Sequence, residues 1–214
     1  RPFVGIGRVL KERGKLDGRR LWKPAVDDPG CYKRREVAGK PSLAVGLLLD
    51  VSASMSRYMP IVKQTAAVFS QGLMPMPGIN FAAWCYTGQL AKVALTRICD
   101  RQLPRLCLAN VEQGKGTPSG AALAGVKLLM ERMREKRRLL IHFTDGRPDS
   151  PAHVLRAIQA CRLSGIRVYA IGLRQFQEVL HRQYGQGNYE TIQTVPELPQ
   201  AVARIVKKLG APQG

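Results

Sequence analysis

Cysteine, aromatic and acidic residues are scarce in this sequence, and the shortage of cysteine excludes several classes of protein. Five cysteines in 214 residues, an odd number with no Cys-x-x-Cys pair, exclude a zinc ribbon, a thioredoxin-type motif and a small disulfide-stabilised scaffold. We therefore expect free thiols and a cytoplasmic location. No apolar run reaches the roughly 18 residues of a membrane span, so no such helix is predicted. Because the sequence starts at Arg1 rather than at methionine, we expect it to be part of a longer protein.

Acidic residues number 15 against 34 Lys and Arg, which gives a net charge of +19. Such a charge predicts attraction to a polyanion, namely nucleic acid, an anionic membrane surface or an acidic protein. Residues 1–40 alone contain twelve Lys or Arg against five acidic residues, and their apolar residues show no sustained period. We interpret residues 1–40 as a basic N-terminal extension and residues 41–214 as one folded domain.

Apolar segments of strand length alternate with helical patterns in the rest of the chain. Continuous apolar runs predict buried strands at residues 42–50, 79–87, 139–144 and 166–173, with a short antiparallel strand at 90–95 and a weak one at 189–192. Helices are predicted at residues 59–72, 118–135, 151–163, 175–181 and 196–209. This alternation is typical of an α/β fold with a doubly wound, mostly parallel sheet flanked by helices.

Hydroxyl and carboxylate side chains gather where the predicted strands end. Asp50, Ser52 and Ser54 follow the first strand, Thr117 precedes a helix, and Asp145 follows a central strand. Ligands of doubly wound sheets bind at the carboxyl ends of the strands, so these five residues are candidate ligands of one ion. A donor set of oxygens without imidazole or thiolate favours Mg²⁺, Mn²⁺ or Ca²⁺ over zinc or copper.

These residues resemble the metal-ion-dependent adhesion site (MIDAS) of von Willebrand factor A domains. The resemblance covers about residues 42–210 and rests on Asp50-Val51-Ser52-Ala53-Ser54 as the DxSxS element, Thr117 as the isolated threonine and Asp145-Gly146 as the TDG element. It implies an A-domain fold, with Mg²⁺ (or Mn²⁺ or Ca²⁺) bound by Asp50, Ser52, Ser54, Thr117 and Asp145. It also implies capture of an acidic partner side chain by the metal, without catalysis.

A narrower resemblance points to an intracellular bacterial branch of the family. Arg34-Arg35-Glu36 before the first strand, followed by the LLLDVSASM segment, is similar to the C-terminal domains of cobaltochelatase CobT-type subunits and of nitric-oxide-reductase or rubisco activation proteins. Relatives in that branch work with a hexameric AAA+ ATPase of the MoxR type. The resemblance therefore implies an adaptor for such an ATPase or for its client enzyme.

Each candidate ligand also has a simpler interpretation. Asp and Ser are favoured in turns and at helix starts, so Asp50, Ser52 and Ser54 could form only a capped turn. Thr117 could cap the helix after Pro118, and Asp145 could belong to an Asp-Gly turn. We interpret Asp149 as the cap of the helix that begins near residue 151, and His142 as a core or edge residue of its strand.

Two other functions remain open on the sequence alone. The charge makes a nucleic-acid-binding protein the alternative, although few aromatics are interleaved with the basic residues. Residues 127–138 (KLLMERMREKRR) are interpreted as a solvated helix face with i,i+4 ion pairs that adds to the basic surface. A metal-dependent hydrolase is disfavoured, because no general base other than the ligands follows the strands. The segment QGKGTPSG also does not match a phosphate-binding P-loop.

Overall fold

The computed structural model describes residues 15–16, 32–33, 42–89, 92–100, 114 and 116–210. The chain divides into two units, Arg1–Ser42 and Leu43–Gly214. In the first unit, strand β1 (Lys15–Leu16) pairs antiparallel with strand β2 (Tyr32–Lys33). The rest of the predicted basic extension lies outside the described residues.

The second unit contains a six-stranded sheet. Its strands follow the chain as β3 (Leu43–Asp50), β4 (Ile79–Gln89), β5 (Lys92–Cys99), β6 (Arg137–Thr144), β7 (Ile166–Leu173) and β8 (Tyr189–Ile192). The strand order is β5-β4-β3-β6-β7-β8, and every pair is parallel except β4 with β5. The predicted doubly wound α/β fold is therefore confirmed, with its antiparallel strand at one edge.

Helices connect the parallel strands on both faces of the sheet. They are α1 (Met59–Leu73), α2 (Ser119–Glu131), α3 (Pro151–Leu163), α4 (Gln177–Tyr184) and α5 (Leu198–Gly210), with short 3₁₀ segments at Ala53–Tyr58, Arg174–Phe176 and Val195–Glu197. Within the part of the chain that the structure describes, every helix is too short or too polar to cross a membrane.

Two predicted element ends differ from the structure by four residues. Helix α2 stops at Glu131 rather than near residue 135, because the Arg138 guanidinium donates hydrogen bonds to the carbonyls of Glu131 and Met133 and so satisfies groups left open at the helix end. Strand β5 extends to Cys99, further than the predicted end at residue 95, because its pairing with β4 continues across a β-bulge.

The core consists of two apolar layers, one on each face of the sheet. Val45, Leu47 and Leu49 of β3 pack in the layer covered by α1 and α5, whereas Ala44 and Leu48 point to the layer covered by α2, α3 and α4. Successive strand residues face opposite sides, so a strand covered on both sides has no polar alternation. This is why β3 could be predicted from an unbroken apolar run.

The cysteines of the described residues belong to these layers. Cys85, Cys99 and Cys161 are buried, and Cys85 and Cys161 are free thiols, in agreement with the expectation from the number and spacing of the cysteines. Burial raises the pKa of the Cys85 and Cys161 thiols to about 11, so both stay protonated at neutral pH.

Helices α2 and α3 approach each other closely at their amino ends. A Cβ atom on Gly120 would lie 2.7 Å from the Cβ atom of His153, so only glycine permits this distance. The close approach holds the loops before the two helices side by side at the carboxyl edge of the sheet.

Candidate metal site

Strands β3 and β6 are parallel neighbours, so the residues that follow them share one edge of the sheet. Asp50 ends β3 and is fully buried, and Asp145 follows β6 with 1% of its surface exposed. The main-chain N–H of Ser52 donates to Oδ1 of Asp50 at 2.9 Å, which closes a tight turn. In that turn the hydroxyls of Ser52 and Ser54 lie 3.1 Å apart, so alternate residues point the same way, as the spacing predicts.

Thr144 joins the two carboxylate-bearing loops. Its hydroxyl donates to Oδ2 of Asp50 at 3.1 Å and accepts from the main-chain N–H of Gly146 at 3.1 Å. The following turn has Gly146 at a φ of +76°, and Oδ1 of Asp145 accepts from the N–H of Arg147 at 2.9 Å. The Asp-Gly turn interpretation is therefore correct locally, and it places Asp145 beside Asp50.

Thr117 reaches the same edge through contacts of its main chain. Its N–H donates to Oδ1 of Asp149 at 3.0 Å, and the N–H of Asp149 donates back to the carbonyl of Thr117 at 3.0 Å. The amino end of α2 has Pro118 at the cap position and no side-chain cap, so Thr117 does not cap it. Its side chain is buried, with 7% of the residue exposed.

The interpretation of Asp149 as a helix cap was wrong. Ser150 occupies the cap position of α3, and its hydroxyl accepts from the N–H of His153 at 3.4 Å. The Asp149 carboxylate instead accepts a hydrogen bond from the main-chain N–H of Thr117 in the neighbouring loop. Asp149 thus fixes the position of the threonine loop.

The two buried carboxylates, Asp50 and Asp145, concentrate negative charge at this site. Burial is the main cause that raises the pKa of Asp50 to about 6, and the charge of Asp145 adds to the increase. Among the described residues, no Lys or Arg forms an ion pair with either carboxylate. The guanidinium of Arg147 lies 4.7 Å above the ring of Phe176. The site therefore contains buried negative charge, and none of the described Lys or Arg residues pairs with it. Such a site fits a divalent cation.

A buried hydrogen-bond network lies behind Asp50, and it was not predicted from the sequence. The Tyr86 hydroxyl donates to Oδ2 of Asp50 at 3.0 Å and lies 2.8 Å from the hydroxyl of Ser119 and 2.9 Å from Nε2 of His142. Nδ1 of His142 pairs with the hydroxyl of Tyr184. His142 is thus a core residue, and the polar positions inside two apolar strand segments were the available signal.

The network has one consistent arrangement of protons. Because the single Tyr86 proton goes to Asp50, both Ser119 and His142 must donate to the Tyr86 oxygen. His142 then carries its proton on Nε2 and accepts from Tyr184 on Nδ1. Burial lowers the pKa of His142 to about 3, which agrees with this neutral form. In this hydrogen-bond network, each donor therefore points toward Asp50, and this arrangement stabilises the ionised form of Asp50.

The donor types define which group these residues can hold. Two carboxylates and three hydroxyls offer hard oxygen atoms, which suit Mg²⁺, Mn²⁺ or Ca²⁺. Within the described ranges, no group of three or more His, Cys, Asp and Glu side chains forms an alternative metal site. The candidate ligands are Asp50, Ser52, Ser54, Thr117 and Asp145.

The family of the chain is shown by comparison with known proteins. The family model for the von Willebrand factor type A domain matches residues 45–208, so the chain belongs to this family. Members of the family often mediate metal-dependent protein interactions and are commonly non-catalytic. Protein NorD of Brucella abortus (strain 2308) is 24% identical over 230 residues, which cover 92% of this chain and 36% of that protein. The chain thus spans about a third of the curated relative that it matches.

Solved structures share the fold at low sequence identity. The vWF domain of the type V pili tip protein Mfa5 from Porphyromonas gingivalis has a TM-score of 0.61 at 11% identity, over 81% of this chain and 97% of that one. Mussel proximal thread matrix protein 1, with a zinc-occupied MIDAS motif, has a TM-score of 0.58 at 16% identity, over 78% and 46%. Manganese-loaded TRAP protein from Plasmodium vivax has a TM-score of 0.54 at 20% identity, over 77% and 72%.

Proposed function

We propose that this domain is a non-catalytic adaptor that captures an acidic side chain of a partner protein through a divalent cation. Asp50, Ser52, Ser54, Thr117 and Asp145 would hold the cation. The cation, Mg²⁺ or alternatively Mn²⁺ or Ca²⁺, would supply an electrophilic position for a partner carboxylate. The observation that carries this proposal is the pair of buried carboxylates, Asp50 and Asp145, without a described counter-charge beside adjacent serine hydroxyls.

The surface around this site favours an acidic partner. Arg57 belongs to the 3₁₀ segment that contains Ser54, and Arg147 follows Asp145 by two residues. Arg57 lies 4.7 Å over the Tyr58 ring, and Arg147 lies 4.7 Å over the Phe176 ring. Both cations are exposed and held by aromatic faces, so they can meet acidic groups of a partner.

Residues that could perform acid–base chemistry lie behind the candidate ligands. Tyr86, His142 and Ser119 are buried and hydrogen-bonded to one another. Their burial keeps them from contacting a substrate that approaches from solvent, which supports binding without catalysis.

The proposed partner is a hexameric AAA+ ATPase of the MoxR type or its client enzyme. Support comes from the resemblance of the segment around Asp50 to cobaltochelatase and enzyme-activation proteins, and from the match to NorD. The buried free thiols of Cys85 and Cys161 also suit a cytoplasmic location, where cysteines stay reduced.

The test is affinity capture from nuclease-treated lysate at about 0.3 M salt, which screens exposed charges beyond a few ångströms. The full chain with Mg²⁺ is compared with the same chain in EDTA and with Asp50→Asn. We expect an ATPase of the stated type, or its client, to be retained only by the first sample.

Glu131→Gln is the matched control, because it removes a carboxylate at the far end of α2. It should retain the partner as wild type does. Equal retention in EDTA or by Asp50→Asn would contradict the proposal. If nuclease treatment abolished that metal-independent retention, nucleic-acid binding through the +19 charge would become the better account.

A further inference from the structure

Five cations line one cavity at the amino-terminal edge of the sheet. The cavity, of about 480 Å³, lies where β3, β6 and β7 begin, and its cations are Lys136, Arg137, Arg138, Arg162 and Arg167. Among the described residues that line it, none is acidic. The geometry points to a second binding site, for a compact ligand that carries several linked phosphate groups.

This cavity is distinct from the candidate metal site. Strand β6 starts at the cavity with Arg137 and Arg138 and ends at Thr144, next to Asp145. Eight residues of strand span about 26 Å at about 3.3 Å per residue. The two sites therefore lie at opposite edges of the sheet, and the inference does not rest on metal binding.

The sequence run 127–138 contributes three of the cations. It was interpreted as a solvated helix face, and Lys127 does form the expected i,i+4 ion pair with Glu131 at 2.8 Å. Because α2 ends at Glu131, however, Lys136, Arg137 and Arg138 lie outside the helix, and they line the cavity. The interpretation as one continuous helix face was therefore wrong.

Main-chain carbonyls, rather than carboxylates, hold two of the guanidinium groups. Arg162 donates to the carbonyl of Tyr184 at 2.7 Å, and Arg138 donates to the carbonyl of Met133 at 3.0 Å. Carbonyl acceptors orient a guanidinium without neutralising its charge. In addition, Nε of Arg138 is buried and has no hydrogen-bond partner among the described residues. Part of its donor capacity is therefore unused.

The described acidic residues near the cavity have hydrogen-bond partners outside its lining. Glu131 pairs with Lys127, and Glu190 pairs with Arg204 at 2.8 Å. Glu135 accepts from the Asn80 amide at 3.1 Å. The positive charge in the cavity is thus concentrated, and an anion that enters meets arginines already positioned for it.

Charge density and shape select the ligand class. Guanidinium groups bind phosphate oxygens in a two-bond fork, and linked phosphates deliver more charge per volume than the carboxylates of a peptide. A concave cavity encloses a compact anion, whereas the phosphates of duplex DNA lie on a convex surface. The free phosphate chain and the triphosphate of a nucleotide share this chemistry.

In the experiment, the full chain is titrated with inorganic tripolyphosphate, and binding is measured by calorimetry. The salt concentration is about 0.15 M, where the screening length is about 8 Å. Metals are removed with a chelating resin, because EDTA is itself a polyanion. The cavity variant is Lys136→Gln with Arg167→Gln. The matched control, Lys63→Gln with Arg156→Gln, removes the same charge at exposed positions outside the cavity.

We expect saturable binding that weakens about tenfold or more in the cavity variant and about twofold or less in the control. Equal weakening in both variants would mean diffuse attraction to the net charge and would overturn the proposal, as would no saturable binding. A parallel titration with ATP distinguishes a nucleotide from a free phosphate chain as the ligand. Tighter binding of ATP than of tripolyphosphate would indicate a nucleotide, and equal binding would indicate the phosphate chain. If duplex DNA or a glutamate-rich peptide depends on Lys136 and Arg167 whereas tripolyphosphate does not, the proposal is wrong.

Discussion

The Tyr86 hydroxyl donates a 3.0 Å hydrogen bond to the carboxylate of Asp50, so a side chain of β4 orients the candidate ligand that ends β3. The two residues are register partners in the parallel pair. The same Tyr86 oxygen contacts Ser119 at the start of α2. One hydroxyl therefore links Asp50 to the helix whose entry loop contains Thr117.

Tyr86→Phe is expected to weaken Mn²⁺ binding about ten- to a hundredfold, the usual effect of losing a group that orients a metal ligand. It should also lower the free energy of unfolding by about 1–3 kcal/mol, because Ser119 and His142 lose a buried partner. Calorimetric titration with Mn²⁺ and urea denaturation measure the two effects. Tyr169→Phe, at a buried tyrosine on the opposite face of the sheet, should leave Mn²⁺ affinity unchanged. A stability loss without a change in affinity would show that Tyr86 has only a structural role.

Asp149 and Ser150 are adjacent residues with separable roles. Asp149→Ala should weaken metal binding about five- to tenfold, because the Thr117 loop loses its anchor, with little change in stability at this exposed position. Ser150→Ala should cost about 1 kcal/mol through loss of the α3 cap, with unchanged metal affinity. Thermal unfolding and metal titration of both variants test the pair. The reverse pattern would restore Asp149 as the cap.

His142 should make the stability of the metal-free protein depend on pH. Its pKa is lowered from 6.5 to about 3, so the unfolded chain binds one more proton than the folded chain between these values. This contribution is fully present above pH 6.5 and is lost as the pH falls toward 3, by about 1.4 kcal/mol per pH unit.

The groups that face His142 are Tyr86 and Tyr184, with Asp50 beyond Tyr86. Both tyrosine pKa values are raised by burial, so neither titrates in this range. Asp50 titrates in wild type and in His142→Gln alike, so it largely cancels in the difference. Urea denaturation from pH 5 to pH 8 should show wild type losing stability relative to His142→Gln below about pH 6.5. Parallel curves would contradict a neutral buried His142.

Arg147→Gln should move metal and partner affinity in opposite directions. Removing a cation two residues from Asp145 should tighten Mn²⁺ binding slightly, by about twofold, and weaken binding of the metal-dependent partner about three- to tenfold. The salt dependence of partner binding should also decrease. Arg156→Gln, on the exposed side of α3, serves as the control for net charge. Loss of both affinities in Arg147→Gln would indicate a disturbed Asp145 loop instead.

Much of the fold was predictable, because strands that are buried on both faces appear in the sequence as unbroken apolar runs. Helix α3 matches its predicted ends of 151 and 163, since proline favours its first turn and Gly165 takes a φ of +72° just after it. Strand β3 differs from its prediction by one residue. These features depend on local residue patterns, which a single sequence contains.

The parts of the site that escaped prediction depend on pairing between distant segments. Asp149 binds Thr117 across 32 residues of sequence, and nothing local distinguishes it from a helix cap. Tyr86 and His142 lie in apolar strands, where the sequence pattern indicates only that a single polar residue belongs to the core. Their meeting depends on the register that sets Tyr86 beside Asp50 and His142 beside Leu48. Asp50, Ser52 and Ser54 could be proposed as candidate ligands from the sequence because their spacing is local.

Strand β6 separates opposite charges at its two ends. Guanidinium groups gather where the strand begins, and the buried carboxylates of Asp50 and Asp145 lie at its other end. Because the strand is hydrogen-bonded to parallel neighbours on both sides, the distance between the two ends is fixed. The two proposed sites would therefore attract cations and anions to opposite ends of one rigid element. Filling one end leaves the other open, and a single molecule that engages both must be long enough to pass around the outside of the domain.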